Sequence, residues 1–186
     1  TVGTARVSTA EKKFGSGSML FNGSTDYCRT IAPVGTHQFG TGNFTIECWA
    51  YCTNLAGGTS NTMIVIDFRS GAGPESRPTL VLINGAFGYF ANGSYRCLSN
   101  TILSNTWYHV AVVRSSGNTK LYVNGTNVGS TYVDTINYLD GVPIIANNIS
   151  APTYGFAGYI DDLRITKGVA RYTSAFTPPT IALPDK

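Results

Sequence analysis

Glutamate is scarce in this chain, with three in 186 residues at Glu11, Glu47 and Glu75. Carboxylate-driven glycoside hydrolysis needs two acids facing one cleft, about 5 Å or about 6.5 to 9.5 Å apart. Glutamates this scattered offer no evident pair. Histidine is as sparse, with only His37 and His109, neither at zinc-ligand spacing from a cysteine pair. His37 lies in a Gly/Thr-rich loop and reads as exposed, and His109 reads as a packed strand residue rather than a triad base. Charge of one sign is lacking too. Thirteen Lys and Arg against ten Asp and Glu give +3, with no basic stripe, which excludes a nucleic-acid footprint. Apolar runs such as Leu80–Ile83 and Val110–Val113 fall far short of the about 18 residues that mark a bilayer span, so no membrane insertion is expected. No segment keeps a 3.6-residue period, which excludes an α/β architecture.

What is present favours strands. Eleven Tyr, nine Phe and many Val, Ile and Thr suit a pleated surface, and 21 Gly with 8 Pro divide it into short runs. The length fits one domain over residues 1–186, with a core of about 14–179 and a linker-like tail over 180–186. The proline-rich Phe176–Pro184 stretch reads as an exit strand, and the chain as a module excised from a larger protein. Cys28, Cys48, Cys52 and Cys97 would permit two disulfides in a secreted protein. Cys48 and Cys52, however, lie on one predicted strand roughly 13 Å apart, beyond disulfide reach. Four reduced core cysteines are the simpler reading.

Strand signals recur along the chain. Ser18–Phe21 and Asp26–Ile31 flank Asn22-Gly-Ser-Thr25 and suggest a first hairpin. Phe44–Cys52 alternates, with Phe44, Ile46, Cys48, Ala50 and Cys52 facing a core and Thr45, Glu47, Trp49 and Tyr51 facing away. Further strands are predicted over 62–68, 79–83, 86–91, 95–98 and 107–114. Asn84-Gly85 and Asn92-Gly93 are expected to form type I′ turns, and Lys120–Ser130 is the clearest hairpin, closed by Asn124-Gly125. Strands over 142–146 and 156–166 complete about a dozen. A helical turn is expected over 167–172, and loops over 55–61, 70–77, 135–141 and 147–154. Five Asn-x-Ser/Thr sequons occur, at Asn22, Asn43, Asn92, Asn124 and Asn148, three of them in Asn-Gly turns.

Four blocks, Phe44-Thr-Ile-Glu-Cys-Trp, Trp107-Tyr-His-Val-Ala, Leu121-Tyr-Val-Asn-Gly and Gly158-Tyr-Ile-Asp-Asp-Leu-Arg-Ile165, resemble in order and spacing the concanavalin A-like laminin G superfamily. The likeness covers roughly Phe14–Pro179. The segment Gly158–Pro179 looks like modules of bacteriophage structural proteins and bacterial surface proteins. The resemblance implies an all-β, two-sheet antiparallel jelly-roll sandwich acting as a binding module. The paired acidic strand motif of the related glucanases, Glu-x-Asp-x-x-Glu, is absent, and no enzyme is expected. The expected function is glycan or host-receptor recognition on a virion or cell surface. The alternative is a structural module that packs against copies of itself or neighbouring virion subunits.

Sugar binding needs exposed rings beside amides and hydroxyls. The candidates are Trp49 and Tyr51 on the outward side of their strand, Tyr95, Tyr138 with Asn137, and Tyr154 with Asn147 and Asn148. The resemblance also implies a calcium ion near a sheet edge, held by Asp26 and by Asp161 or Asp162. The competing reading is an Asp162–Arg164 ion pair on one strand face. Adjacent on a strand, Asp161 and Asp162 are expected to point to opposite faces.

Overall fold

The computed structural model describes residues 1–70, 76–148 and 153–184. Thirteen strands form: β1 (Arg6–Ser8), β2 (Ser18–Asn22), β3 (Cys28–Arg29), β4 (Phe44–Cys52), β5 (Thr62–Asp67), β6 (Thr79–Ile83), β7 (Ala86–Ala91), β8 (Ser94–Thr101), β9 (Trp107–Ser115), β10 (Asn118–Val123), β11 (Thr126–Val133), β12 (Ile144–Ile145) and β13 (Ala157–Lys167). They pair antiparallel into a seven-stranded sheet, β1-β2-β13-β4-β9-β10-β11, and a six-stranded sheet, β3-β12-β5-β6-β7-β8. This is a jelly-roll sandwich, as the four blocks imply.

The turns obey the residues that make them. Asn84, Asn92 and Asn124 sit at φ 48°, 47° and 49°, each followed by a glycine at positive φ, the geometry of a two-residue type I′ hairpin. Ser116-Gly117 adds a fourth such turn between β9 and β10, so β10 begins two residues earlier than the sequence suggests.

The core follows the alternation of β4. Phe44, Ile46, Cys48, Ala50 and Cys52 join Phe21, Phe68, Phe87, Leu121 and Phe156 between the sheets. All four cysteines are free; Cys28 is half-buried and the others are buried. Burial pushes the Cys48 thiol up to about 12, which leaves it a small inert hydrophobe.

Three expectations are corrected. β2 and β3 are not a hairpin but lie in different sheets, so Asn22–Thr25 is a corner where the chain changes layer. Among the described residues no helix forms; 168–180 is an extended strap laid over the outer face of the seven-stranded sheet. A β-bulge with Asp162 at φ 53° breaks the alternation of β13 between Asp161 and Arg164. It carries Arg164 to the position opposite Glu47, and these two form the ion pair, 2.7 Å apart, in place of Asp162 with Arg164.

Candidate functional site

Antiparallel register brings aromatic residues of three strands onto the outer face of the seven-stranded sheet. Tyr51 lies opposite both Trp107 and Tyr159. Its ring centroid is 5.4 Å from Trp107 and 5.7 Å from Tyr159, and all three are partly exposed. One step along the sheet, Trp49 lies opposite His109. Trp49 is buried at 6% exposure, with Phe14 edge-on at 6.0 Å and the Lys13 ammonium 3.8 Å from its ring centroid. The Asp161 carboxylate accepts the Lys13 and Phe14 N–H groups at 2.9 and 3.1 Å and so holds that segment over the sheet. Trp49 and Trp107 are part of the wall of an open depression of about 660 Å³, closed by Lys13, Phe14, Asn124 and Thr177–Thr180.

The far side of this depression is the strap. Phe176 donates its N–H to the Gly125 carbonyl at 3.0 Å, and a side chain on Gly125 would meet the Phe176 carbonyl at 1.8 Å. The Asn124-Gly125 turn is therefore both a hairpin closure and the strap's seat. Tyr172 and Phe176 stack at 3.5 Å and cover Ala111, Val113 and Tyr122. Beneath them Glu47 is fully buried. One carboxylate oxygen receives Arg164 Nε at 2.8 Å; the other meets the Tyr172 hydroxyl at 2.8 Å and His109 Nε2 at 3.2 Å. Burial alone would raise the Glu47 pKa, but hydrogen bonds from His109, Arg164 and Tyr172, with the Arg164 charge, outweigh it and hold it below the ordinary glutamate value.

The other expected site residues divide. Tyr138 and Asn137 do not form a site. Tyr138 is fully buried, and its hydroxyl donates to Asp134 at 2.8 Å and lies 2.5 Å from the Tyr89 hydroxyl. Asn137 is exposed beside this core residue. Asn147 and Asn148 are also buried. Asn147 donates to the Ser24 carbonyl at 2.6 Å and Asn148 to Asp67 at 2.6 Å, so both brace the scaffold. Tyr95 and Tyr154, distant in sequence, meet at one depression on the outer face of the six-stranded sheet. His37 is half-buried against Phe68, 5.7 Å away, rather than freely exposed.

The aspartates implied as calcium ligands do not fit the ion. Asp26 accepts the Thr4 N–H at 2.6 Å, the Thr4 hydroxyl at 3.0 and 3.1 Å and the Asn22 N–H at 3.0 Å. Asp161 clasps Lys13 and Phe14, and Asp162 accepts the Leu183 N–H at 2.9 Å. Each carboxylate fastens a different stretch of chain by accepting its backbone N–H groups. Among the described residues no three acidic, His or Cys side chains stand together as cation ligands would.

Trp107, Tyr159, Phe14 and Asn124 were not expected at the site. Trp107 is legible only by pairing the 44–52 and 107–114 strands antiparallel, which sets it against Tyr51; nothing local marks Phe14.

The family model of the concanavalin A-like lectin/glucanase superfamily, of laminin G type, matches residues 22–181. The chain belongs to that superfamily. No curated protein sequence matches it. Among solved structures, domain 4 of an extracellular arabinanase from Geobacillus stearothermophilus, in complex with arabinotriose, is similar at TM-score 0.65 and 18% identity, covering 91% of this chain and 78% of that one. A heptameric pentraxin from Limulus polyphemus gives TM-score 0.60 and 15% identity, covering 81% and 76%. The binding domain of botulinum neurotoxin serotype D gives 0.62 and 19%, covering 89% of this chain and 44% of that one, so the chain spans less than half its length. At these identities the likeness shows the fold alone.

Proposed function

We propose that this domain is a carbohydrate-recognition module whose ligand lies in the depression between Trp107 and the strap. The observation that carries this reading is the combination found there: the partly exposed rings of Phe14 and Trp107 beside the exposed Asn124 amide and the Thr177 and Thr180 hydroxyls, in an open concavity. Rings stack on the C–H faces of a sugar, and amides and hydroxyls bind its rim. The arabinotriose bound to the arabinanase domain supports the reading by likeness of fold. Binding rather than turnover is favoured because Glu47, next to the buried His109, is sealed beneath the strap with both oxygens occupied. The likeness of Gly158–Pro179 to phage and bacterial surface modules supports display on a virion or cell surface, where the glycan would belong to a host receptor. The test is a glycan array with the purified domain, followed by Trp107→Ala. We expect affinity for the hits to fall on the order of tenfold with the melting temperature unchanged; retained affinity would move the ligand elsewhere.

One observation favours a second reading, a module that assembles with copies of itself. The edge strand β11 carries no charge, and its Val133 is 71% exposed, an arrangement open to strand pairing. Light scattering decides this: a stable multimer without any array hit selects it.

A further inference from the structure

We infer that the domain carries a second saccharide subsite on the outer face of the six-stranded sheet, centred on Tyr95 and Tyr154 and sized for one sugar ring. The inference rests on the carbohydrate reading above but on separate residues. Ile64 of β5 and Val81 of β6 are opposite each other in register and make an apolar floor, 1% and 3% exposed. Phe90 and Tyr95 stand edge to face at 5.2 Å as one wall, Tyr154 supplies another, and the enclosed volume is about 160 Å³. The Tyr95 hydroxyl lies 3.5 Å from the Thr62 hydroxyl at the rim.

The chemistry of the wall selects the ligand class. The Arg69 guanidinium sits 5.1 Å from the Phe90 ring centroid and is gripped by Asp67, with Nε at 2.9 and 3.1 Å and Nη2 at 2.8 Å from its carboxylate oxygens. Asp67 is itself fixed by Thr79 at 2.9 Å and Asn148 at 2.6 Å. The cation is thus neutralised and immobile, so it gives the wall a rigid polar edge and does not call for an anion. A neutral sugar ring, with one apolar C–H face and a hydroxyl rim, matches an apolar floor, aromatic walls and a hydroxyl edge. The backbone carbonyl of Tyr154 accepts the Ile64 N–H at 2.8 Å, which ties the wall to the floor. Because this face is opposite the strap-covered one, the two subsites would engage separate sugars and join two stretches of polysaccharide, gaining avidity from a single module.

The experiment is titration of the isotopically labelled domain with arabinotriose, cellotriose and lactose, followed by two-dimensional NMR and calorimetry on wild type, Tyr95→Ala, Tyr154→Ala and Trp107→Ala. We expect two separate sets of shifted amides, one near Trp107 and one near Tyr95 and Tyr154, with a stoichiometry of two. Tyr154→Ala and Tyr95→Ala should each remove the second set, leave the first, and reduce the stoichiometry to one. Both rings are at the surface, so the fold should persist, checked by an unchanged melting curve. A stoichiometry of one with Tyr95→Ala and Tyr154→Ala indistinguishable from wild type overturns the second subsite and leaves the Trp107 site standing. Loss of all binding on Tyr154→Ala with none on Trp107→Ala overturns the Trp107 site alone. No saturable shifts with any of the three sugars at millimolar concentration overturns both.

Discussion

On the inner face of β4, Phe44, Ile46, Cys48 and Ala50 are enclosed by apolar side chains from both sheets; on its outer face, Thr45 and Glu47 are just as buried, but around an ionic hydrogen-bonded centre beneath the strap, while Trp49 is buried under Phe14 and Lys13. The inner face is held by area removed from water and by close packing, so truncating a side chain there costs in proportion to the volume it vacates. On the outer face the buried Glu47 carboxylate depends on Arg164, His109 and Tyr172, since a buried charge that loses its partners is costly. One strand therefore shows two ways of being interior. The strap makes the outer face interior over Glu47, and at Thr177–Thr180 it lines rather than covers the depression that leaves Trp107 partly exposed.

The difference predicts an ordered set of losses. Phe44→Ala, which empties a fully buried site ringed by Phe39 and Tyr138, should cost about 4 kcal/mol in urea unfolding. Glu47→Ala leaves Arg164 without its partner and should cost about 3 kcal/mol, with the loss concentrated on the strap. Hydrogen exchange separates the two. Strap amides such as Phe176 should exchange faster in Glu47→Ala while β5–β7 amides keep their protection; uniform acceleration would mean that the two faces are one cooperative unit. Gly125→Ala places a methyl group against the Phe176 carbonyl at a residue with φ 79°, and should cost about 2 kcal/mol, again at the strap. In this variant the depression should widen and sugar affinity change, whereas Phe44→Ala leaves the binding surface intact where it still folds.

The inner face was legible from the sequence and the outer one was not. Period-two alternation over Phe44–Cys52 and the Asn84-Gly85, Asn92-Gly93 and Asn124-Gly125 pairs specify strand, face and turn locally, and they hold, whereas Asn22-Gly23 marks a corner between sheets. The same alternation assigns Glu47 and Trp49 to the solvent side, because nothing within the strand reports that Tyr172 and Phe176, more than a hundred residues later, fold back over Glu47, or that Lys13 and Phe14 cover Trp49. The helical turn expected over 167–172 failed for the same reason: the packing of Tyr172 and Phe176 on Ala111, Val113 and Tyr122 and the Phe176–Gly125 hydrogen bond are long-range contacts that override local preference. Aromatics beside polar loop sequence marked Tyr95 and Tyr154 as surface candidates, but separately; that they meet follows only from the fold. The same signal misplaced Tyr138, which a buried carboxylate, Asp134, draws inward. The bulge at Asp162, which decides that Arg164 rather than Leu163 stands opposite Glu47, has no signature in a run of alternating residues.

The smallest expected effect is the most specific to the outer face. Glu47 has a lower pKa in the folded chain than its ordinary value of 4.5, so the unfolded chain binds that proton more tightly. Its contribution to stability is therefore complete above pH 4.5 and is lost as pH falls through the folded value, with a slope of at most about 1.4 kcal/mol per pH unit. Wild type should lose more stability on acidification below pH 4.5 than Glu47→Gln, whose amide keeps the shape but does not titrate. Asp140, which accepts the Gly35 and His37 N–H groups, also has a depressed pKa and adds its own acid-sensitive share in both proteins. The difference between the two melting-temperature profiles is thus the measurement that isolates Glu47. Parallel profiles would show that the carboxylate's charge does not hold the strap, and would leave the Tyr172–Phe176 stack over Tyr122 as its main anchor.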